Sequence, residues 1–290
     1  RAVDGAPAPG RDDCRRLNQA NWDDRVAIHV GSPDYDAARF DDPDFLSGVV
    51  RFDRPRLGDL QGVRGLHLQC HIGTDTVSLA RLGATMTGLD FSPPALVAAR
   101  SLAARAGVDA TFLEGDVDDA VVVAGAASYD LVYTGIGALC WLPDVRRWAQ
   151  VVAGLLAPGG RLFIREGHPV LWSIDEERTD ALVIGYPYFE QVEPMVFTEE
   201  LSYVSSDVAL TATTTHQWNH GLGEIVGAVL EAGLVLVGLE EHQSVPYEAL
   251  PGRMEPVGEE FQLAERRERV PLTYTLQATK PAGGVEDDAG

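Results

Sequence analysis

Cysteine is scarce. The 290 residues hold three, Cys14, Cys70 and Cys140, with no metal-ligand spacing among them. So sparse and odd a set excludes a disulfide scaffold and a structural zinc site, and it points to a reducing cytoplasm. Long apolar runs are missing too: none reaches the ~18–20 residues that a bilayer crossing requires, so no membrane partner is expected. Arg1 to Gly10 contains no apolar signal core. Basic residues are few, 23 Lys+Arg against 44 Asp+Glu, which leaves a formal charge of −21. A surface of that sign repels a phosphate backbone, which argues against a nucleic-acid substrate and fits a soluble protein acting on small molecules. No Gly-Lys-Ser/Thr occurs, so there is no P-loop.

What remains is ample for a core: 45% of residues are hydrophobic, an ordinary globular share. The length suits one large domain carrying an insertion. The termini, 1–13 and 281–290, are rich in Gly, Pro, Ala and Asp and read as tails. Residues 14–60 scatter Trp22, Tyr35, Phe40, Phe45 and Phe52 among acidic residues, a pattern of short helices that pack on something else. From about residue 64 apolar runs alternate with helical patterns. Strands are expected over 65–70, 84–90, 110–114, 129–133 and 161–165, and helices over 76–82, 94–106 and 145–156. Strand–helix alternation of this kind implies a parallel sheet with helices on both faces, because right-handed crossovers put them there. The rhythm changes after residue 166. Residues 170–218 show short β-like stretches at 201–204 and 210–215; a helix at 222–232 and strands at 234–239 and 272–278 then close the chain. The divisions expected are an N-terminal lid segment (1–60), a ligand-binding core (61–169), a substrate-covering insertion (170–218), a closing helix and strands (219–280) and a tail (281–290).

In an open α/β sheet ligands bind beyond the carboxyl ends of the strands. Four strand ends carry suggestive residues: Cys70-His-Ile-Gly73, then Asp90-Phe-Ser92, then Gly115-Asp-Val117, then Thr134-Gly135. Gly73 has no Cβ to obstruct a ligand. A carboxylate at Asp90 accepts hydrogen bonds from ribose hydroxyls, and one at Asp116 accepts from an adenine amino group, with the Val117 amide beside it. Each position alone is weak, since an Asp ending a strand is usually a turn or helix cap. The set, in this order, favours a nucleoside.

These segments, with Tyr129-Asp-Leu-Val-Tyr133 and Leu156-Ala-Pro-Gly-Gly-Arg-Leu162, resemble the successive motifs of class I methyltransferases dependent on S-adenosylmethionine (SAM). The variant Leu-Gln-Cys-His-Ile-Gly of residues 68–73 resembles a bacterial small-molecule subgroup. The resemblance covers about 60–170. It implies a Rossmann-like, seven-stranded, mostly parallel sheet whose last strand is antiparallel, SAM as cofactor, and a methyltransferase that modifies an O, N or S atom of a small molecule as a monomer or homodimer. Where the family has an acid and three glycines in its first loop, this chain has His67, Gln69, His71 and Gly73. The family's acid helps to hold the methionine end of SAM, so Trp22, Arg25, His29 and His71 become candidates for that end. The altered loop also leaves open a non-catalytic protein that binds SAM or a nucleoside for regulation. A Rossmann dehydrogenase is disfavoured, because the loop lacks the G-x-G-x-x-G that admits a pyrophosphate.

Methyl transfer has no universal catalytic motif, so the acceptor side is read from position alone. Candidates for acceptor contacts are Trp141 after the fourth strand, Glu166 after the fifth, and Trp218 and His220 before the last helix; His168 and His216 are candidate bases. His216 and His220 have metal-capable side chains but no third ligand, so no metal is expected. Trp172, Tyr186, Tyr188 and Phe189 suit an aromatic lid or a dimer contact.

Overall fold

A computed structural model describes residues 10–282; the tails expected at 1–13 and 281–290 lie mostly outside them. Seven strands form the central sheet: β1 (Arg64–Leu68), β2 (Thr85–Asp90), β3 (Ala110–Glu114), β4 (Tyr129–Thr134), β5 (Leu156–Gly167), β8 (Val235–His242) and β11 (Thr273–Thr279). Two small hairpins supply the rest: β6 (Met195–Thr198) with β7 (Thr214–Gln217), and β9 (Met254–Val257) with β10 (Glu260–Leu263). The sheet order is β3-β2-β1-β4-β5-β11-β8. Strands β1 to β5 pair in parallel, while β11 runs antiparallel to both β5 and β8. The order reverses between β1 and β4, which makes their carboxyl ends the switch point.

The helices are α1 (Arg11–Gly31), α2 (Gly48–Leu57), α3 (Thr74–Arg81), α4 (Pro93–Arg105), α5 (Ala120–Ala124), α6 (Val145–Leu155), α7 (Pro169–Trp172) and α8 (Leu222–Glu231). Their limits follow local chemistry. Ser92 caps α4 by accepting from the Ala95 amide, and Pro93 opens its first turn, where a missing N–H costs nothing. Asp144 caps α6 through the Arg147 amide. The buried Val145, Trp148, Ala149, Val152 and Leu155 then recur at helical spacing down one side of α6. That stripe meets Leu66, Leu68, Val132, Leu162 and Ile164 from the sheet, with α8 alongside. The opposite sheet face carries Met86, Leu131, Tyr133 and Phe163 and packs on Val50 and Leu57 of α2 and Leu79 of α3. Alternation along each strand therefore feeds both cores.

Three expectations need correction. The pattern of residues 14–60 predicts short helices, yet α1 is a single helix of 21 residues. Polar residues fill its buried face (Asn18, Asn21, Arg25, His29), so the apolar periodicity that marks a long helix is absent. Residues 201–204 form no strand, and in 210–215 only the end of the segment joins β7. Nothing in the expectation covered the β9–β10 hairpin, whose strands of four residues each are too short for alternation to register.

Candidate active site

At the switch point the chain between β1 and α3 turns through two left-handed non-glycine residues, Gln69 (φ 55°) and His71 (φ 47°), before Gly73 (φ +81°). Asp90 holds this loop in place. One of its oxygens accepts from the His71 amide at 2.8 Å and the other from the Ser92 amide at 2.9 Å. Burial raises the Asp90 carboxyl to about 6, against the pull of those two amides. A carboxylate oxygen has two acceptor sites, so both oxygens keep capacity for a ligand. Asp116 is also pushed up by burial; it caps the turn after β3 by accepting from the Asp118 amide at 2.9 Å. Val117 is buried in the core with α6, and Gly115 donates to the Asp90 carbonyl at 3.0 Å. A Cβ at Gly73 would lie 2.8 Å from that of Ala99. Glycine there lets α4 pack closely against the loop. Cys70 is likewise a packing residue: it is buried with Val77, Leu96 and Phe112, and burial lifts its thiol well above the usual range.

Helix α1 crosses the strand ends. Gln19 donates to the Phe91 carbonyl at 2.6 Å, Asp23 accepts from the Ser92 hydroxyl at 2.5 Å, and Val26 packs on Ile72 and Ala95. His29 Nδ1 and His71 Nε2 lie 2.8 Å apart, and His29 Nε2 reaches the Ser202 hydroxyl at 2.7 Å. Burial depresses both imidazoles, His29 to about 2 and His71 to about 3, so the pair is neutral. Arg25, 2% exposed, pairs with Glu199 at 3.1 Å and donates to Asn21; its charge is thus committed to the insertion.

Aromatic rings surround this point. Trp22 sits edge-on to His71 at 5.0 Å and to Trp141 at 5.2 Å. Tyr35 stacks on His29, its hydroxyl meets that of Tyr203, and Tyr203 lies 6.1 Å from Tyr247. Thr134 Oγ1 and Gln69 Oε1, at the ends of β4 and β1, are buried with no partner among the described residues. The candidates Trp22, His71, Asp90, Phe91, Ser92, Thr134 and Trp141 thus come together at the switch point.

The other acceptor candidates brace its walls. Glu166 accepts from the amides of Gly137, Ala138 and Leu139 at 2.6, 2.8 and 2.9 Å, and from that of Gly167. His220 spans Glu190 and the carbonyls of Leu139 and Leu142. Trp218 donates its amide to the Cys140 carbonyl. His168 accepts from the Val170 amide as the cap of α7, with Glu241 2.9 Å from its other nitrogen. His216 is pinned through its backbone by Asn18 at 2.8 Å on both sides. Of the proposed lid aromatics, Tyr186 packs on Phe197 and Tyr188 on Phe189, while Trp172 covers Gly167. Tyr203 and Tyr247 are the rings that reach the site. No local pattern distinguishes either, because tertiary contacts alone bring them there.

With this geometry in view, residues 66–162 match the family model described as a methyltransferase domain. A ubiquinone biosynthesis O-methyltransferase of Cronobacter sakazakii is 38% identical over 109 residues, 37% of this chain and 44% of that protein. A protein of the same name from Xanthomonas euvesicatoria is 34% identical over 106 residues, again 44% of its length. The chain therefore spans less than half of these relatives. Among solved structures, a SAM-dependent methyltransferase of Mesorhizobium loti superposes with a TM-score of 0.55 at 23% identity, covering 79% of this chain and 96% of that one. A structure described for conversion of a disulfide bond into a thioacetal group during echinomycin biosynthesis gives 0.52 at 17%, covering 90% and 92%. The fold is that of the class I SAM-dependent methyltransferases.

Proposed function

We propose that this protein transfers the methyl group of SAM to an oxygen of a small aromatic acceptor. The observation that carries the reading is the domain match together with donor-seeking groups along the carboxyl ends of β1 to β4: two carboxylates with spare acceptor sites and two buried, unpartnered polar oxygens. SAM's ribose hydroxyls and adenine amino group are donors, so the residues present fit it. Asp90 would hold the ribose and Asp116 the adenine. The oxygen acceptor follows the O-methyltransferase relatives, and an aromatic ring suits walls made of Trp22, Trp141, Tyr203 and Tyr247.

When bound, SAM supplies an electrophilic methyl on a positively charged sulfur. The protein's task is then to align the acceptor and exclude water, and alignment alone is worth ~7–11 kcal/mol. The rings around His71 and the cover of α1 serve both ends. As the methyl bonds to it the acceptor oxygen gives up its proton and the sulfonium becomes a neutral thioether; His168 and His216 remain the candidates to take that proton.

Calorimetry with SAM, followed by transfer of labelled methyl to a panel of phenols, tests it. Asp90→Ala should weaken SAM binding by about 2–4 kcal/mol through loss of charge-assisted hydrogen bonds. An unchanged dissociation constant would remove Asp90 from the site, and SAM binding without turnover on any acceptor would favour the regulatory alternative.

A further inference from the structure

One carboxylate at the switch point is unclaimed by the contacts above. Asp75 lies in the first turn of α3, directly after the β1 loop. A Cβ placed on Gly135, the first residue beyond β4, would stand 3.3 Å from Asp75 Oδ2 and 3.6 Å from His67 Nε2. Asp75 and His67 therefore flank the same backbone position, in the cleft between the β1 and β4 ends. The two are not equivalent. His67 is 3% exposed, its Nδ1 lies 2.9 Å from the Thr76 hydroxyl, and burial drives its imidazole down to about 3. It is a neutral ring. Asp75 is half-buried, with the Ser47 hydroxyl as its hydrogen-bond partner.

Among the described residues no Arg, Lys or His comes within ion-pair distance of Asp75. The cation whose charge reaches it, Arg165, makes a two-pronged pair with Glu260 at 2.7 and 2.9 Å. A carboxylate shielded from water without a cation is costly, and it lies where an incoming cation would neutralise it. Its charge acts on Tyr35, in the segment that follows α1, and on Asp53 and Tyr133.

With the nucleoside held over β2 and β3 by Asp90 and Asp116, the remainder of SAM extends toward the β1–β4 switch. That remainder ends in an ammonium group. We infer that Asp75 is the residue that pairs with the ammonium of SAM's amino-acid end, a positioning role. The inference rests on the proposed use of SAM. It concerns binding, and Asp75 takes no part in the transfer itself.

The test measures dissociation constants for the full chain and for Asp75→Asn, which keeps size and shape. Three ligands are compared: SAM, decarboxylated SAM (which keeps the amine), and 5′-methylthioadenosine (which has neither amine nor carboxylate). Loss of one charge-assisted contact should weaken SAM and decarboxylated SAM alike, by roughly ten- to a hundredfold, and leave methylthioadenosine within about twofold. Unchanged methylthioadenosine affinity also certifies that the variant is folded. Equal weakening of all three ligands would mean that Asp75 only supports the loop, and would overturn the inference. So would an unchanged SAM affinity, including the case in which turnover alone is lost. If the unaltered chain binds neither SAM nor methylthioadenosine, the proposed function fails first and the inference with it; if it binds both, only the Asp75 comparison is at stake.

Discussion

Glu166 looks like a ligand contact in the sequence and acts as a keystone in the fold. Its carboxylate collects four backbone amides, three from the segment that carries Trp141. Glu166→Ala would leave those donors unpaired in a buried place, which costs ~1–3 kcal/mol for each that finds no water. Denaturant unfolding should therefore show a loss of at least about 3 kcal/mol; a loss under about 1 kcal/mol would show that the segment holds itself. Asp53 offers a test in pH. It is fully buried, donated to by Tyr133 Oη at 2.7 Å, and its other oxygen has no partner. Burial raises its carboxyl from 3.8 to about 7, although the Arg165 charge and the Tyr133 hydrogen bond oppose this. The folded state then holds this proton where the unfolded chain has released it, so stability falls as pH rises from about 4 to about 7. Asp53→Asn should flatten that part of the stability–pH curve. Parallel curves for the two proteins would refute the assignment.

At the scale of elements, α1 and residues 199–203 come from two distant stretches of sequence and meet beside the β1 loop. Their contact runs through neutral histidines and the Arg25–Glu199 pair. Because folded His29 and His71 titrate far below 6.5, protons favour the open or unfolded forms once the pH drops beneath that value. Amide exchange in α1, corrected for intrinsic rate, should accelerate from pH 7 to pH 5, and saturating SAM should slow it at both. Exchange indifferent to both pH and SAM would make α1 a fixed element and remove the lid role. Its place over the strand ends, clasped to Phe91, Ser92 and His71, already differs from a helix packed on the back of the sheet.

The whole molecule carries a formal charge of −21. Among the described residues most ion pairs have at least one exposed partner, and such pairs add little. Net repulsion should then dominate the salt response: raising ionic strength from 10 to about 150 mM shrinks the Debye length from roughly 30 to 8 Å and should raise the melting temperature. A fall would mean that screened attractive pairs outweigh the repulsion. No helix among the described residues is long and apolar enough to cross a membrane.

The sequence by itself determined the sheet and the carboxylates at its strand ends. The strands and helices between residues 64 and 167 were legible because each is a local pattern: apolar strands, a Ser or Asp cap, a Pro start, a glycine-bearing turn. Asp90 and Asp116 were legible for the same reason, since a strand end fixes where a carboxylate points. Tertiary structure alone decided what else gathers there. Tyr203, Tyr247 and Asp75 meet the strand ends through contacts that no local period encodes, and α1 was masked by the polar residues on its buried face. Histidine and glutamate look alike in sequence whether they bind a ligand or a backbone amide. Only the position of the neighbouring donors separates Glu166, whose carboxylate is taken up by backbone amides, from Asp90, whose oxygens keep acceptor sites spare.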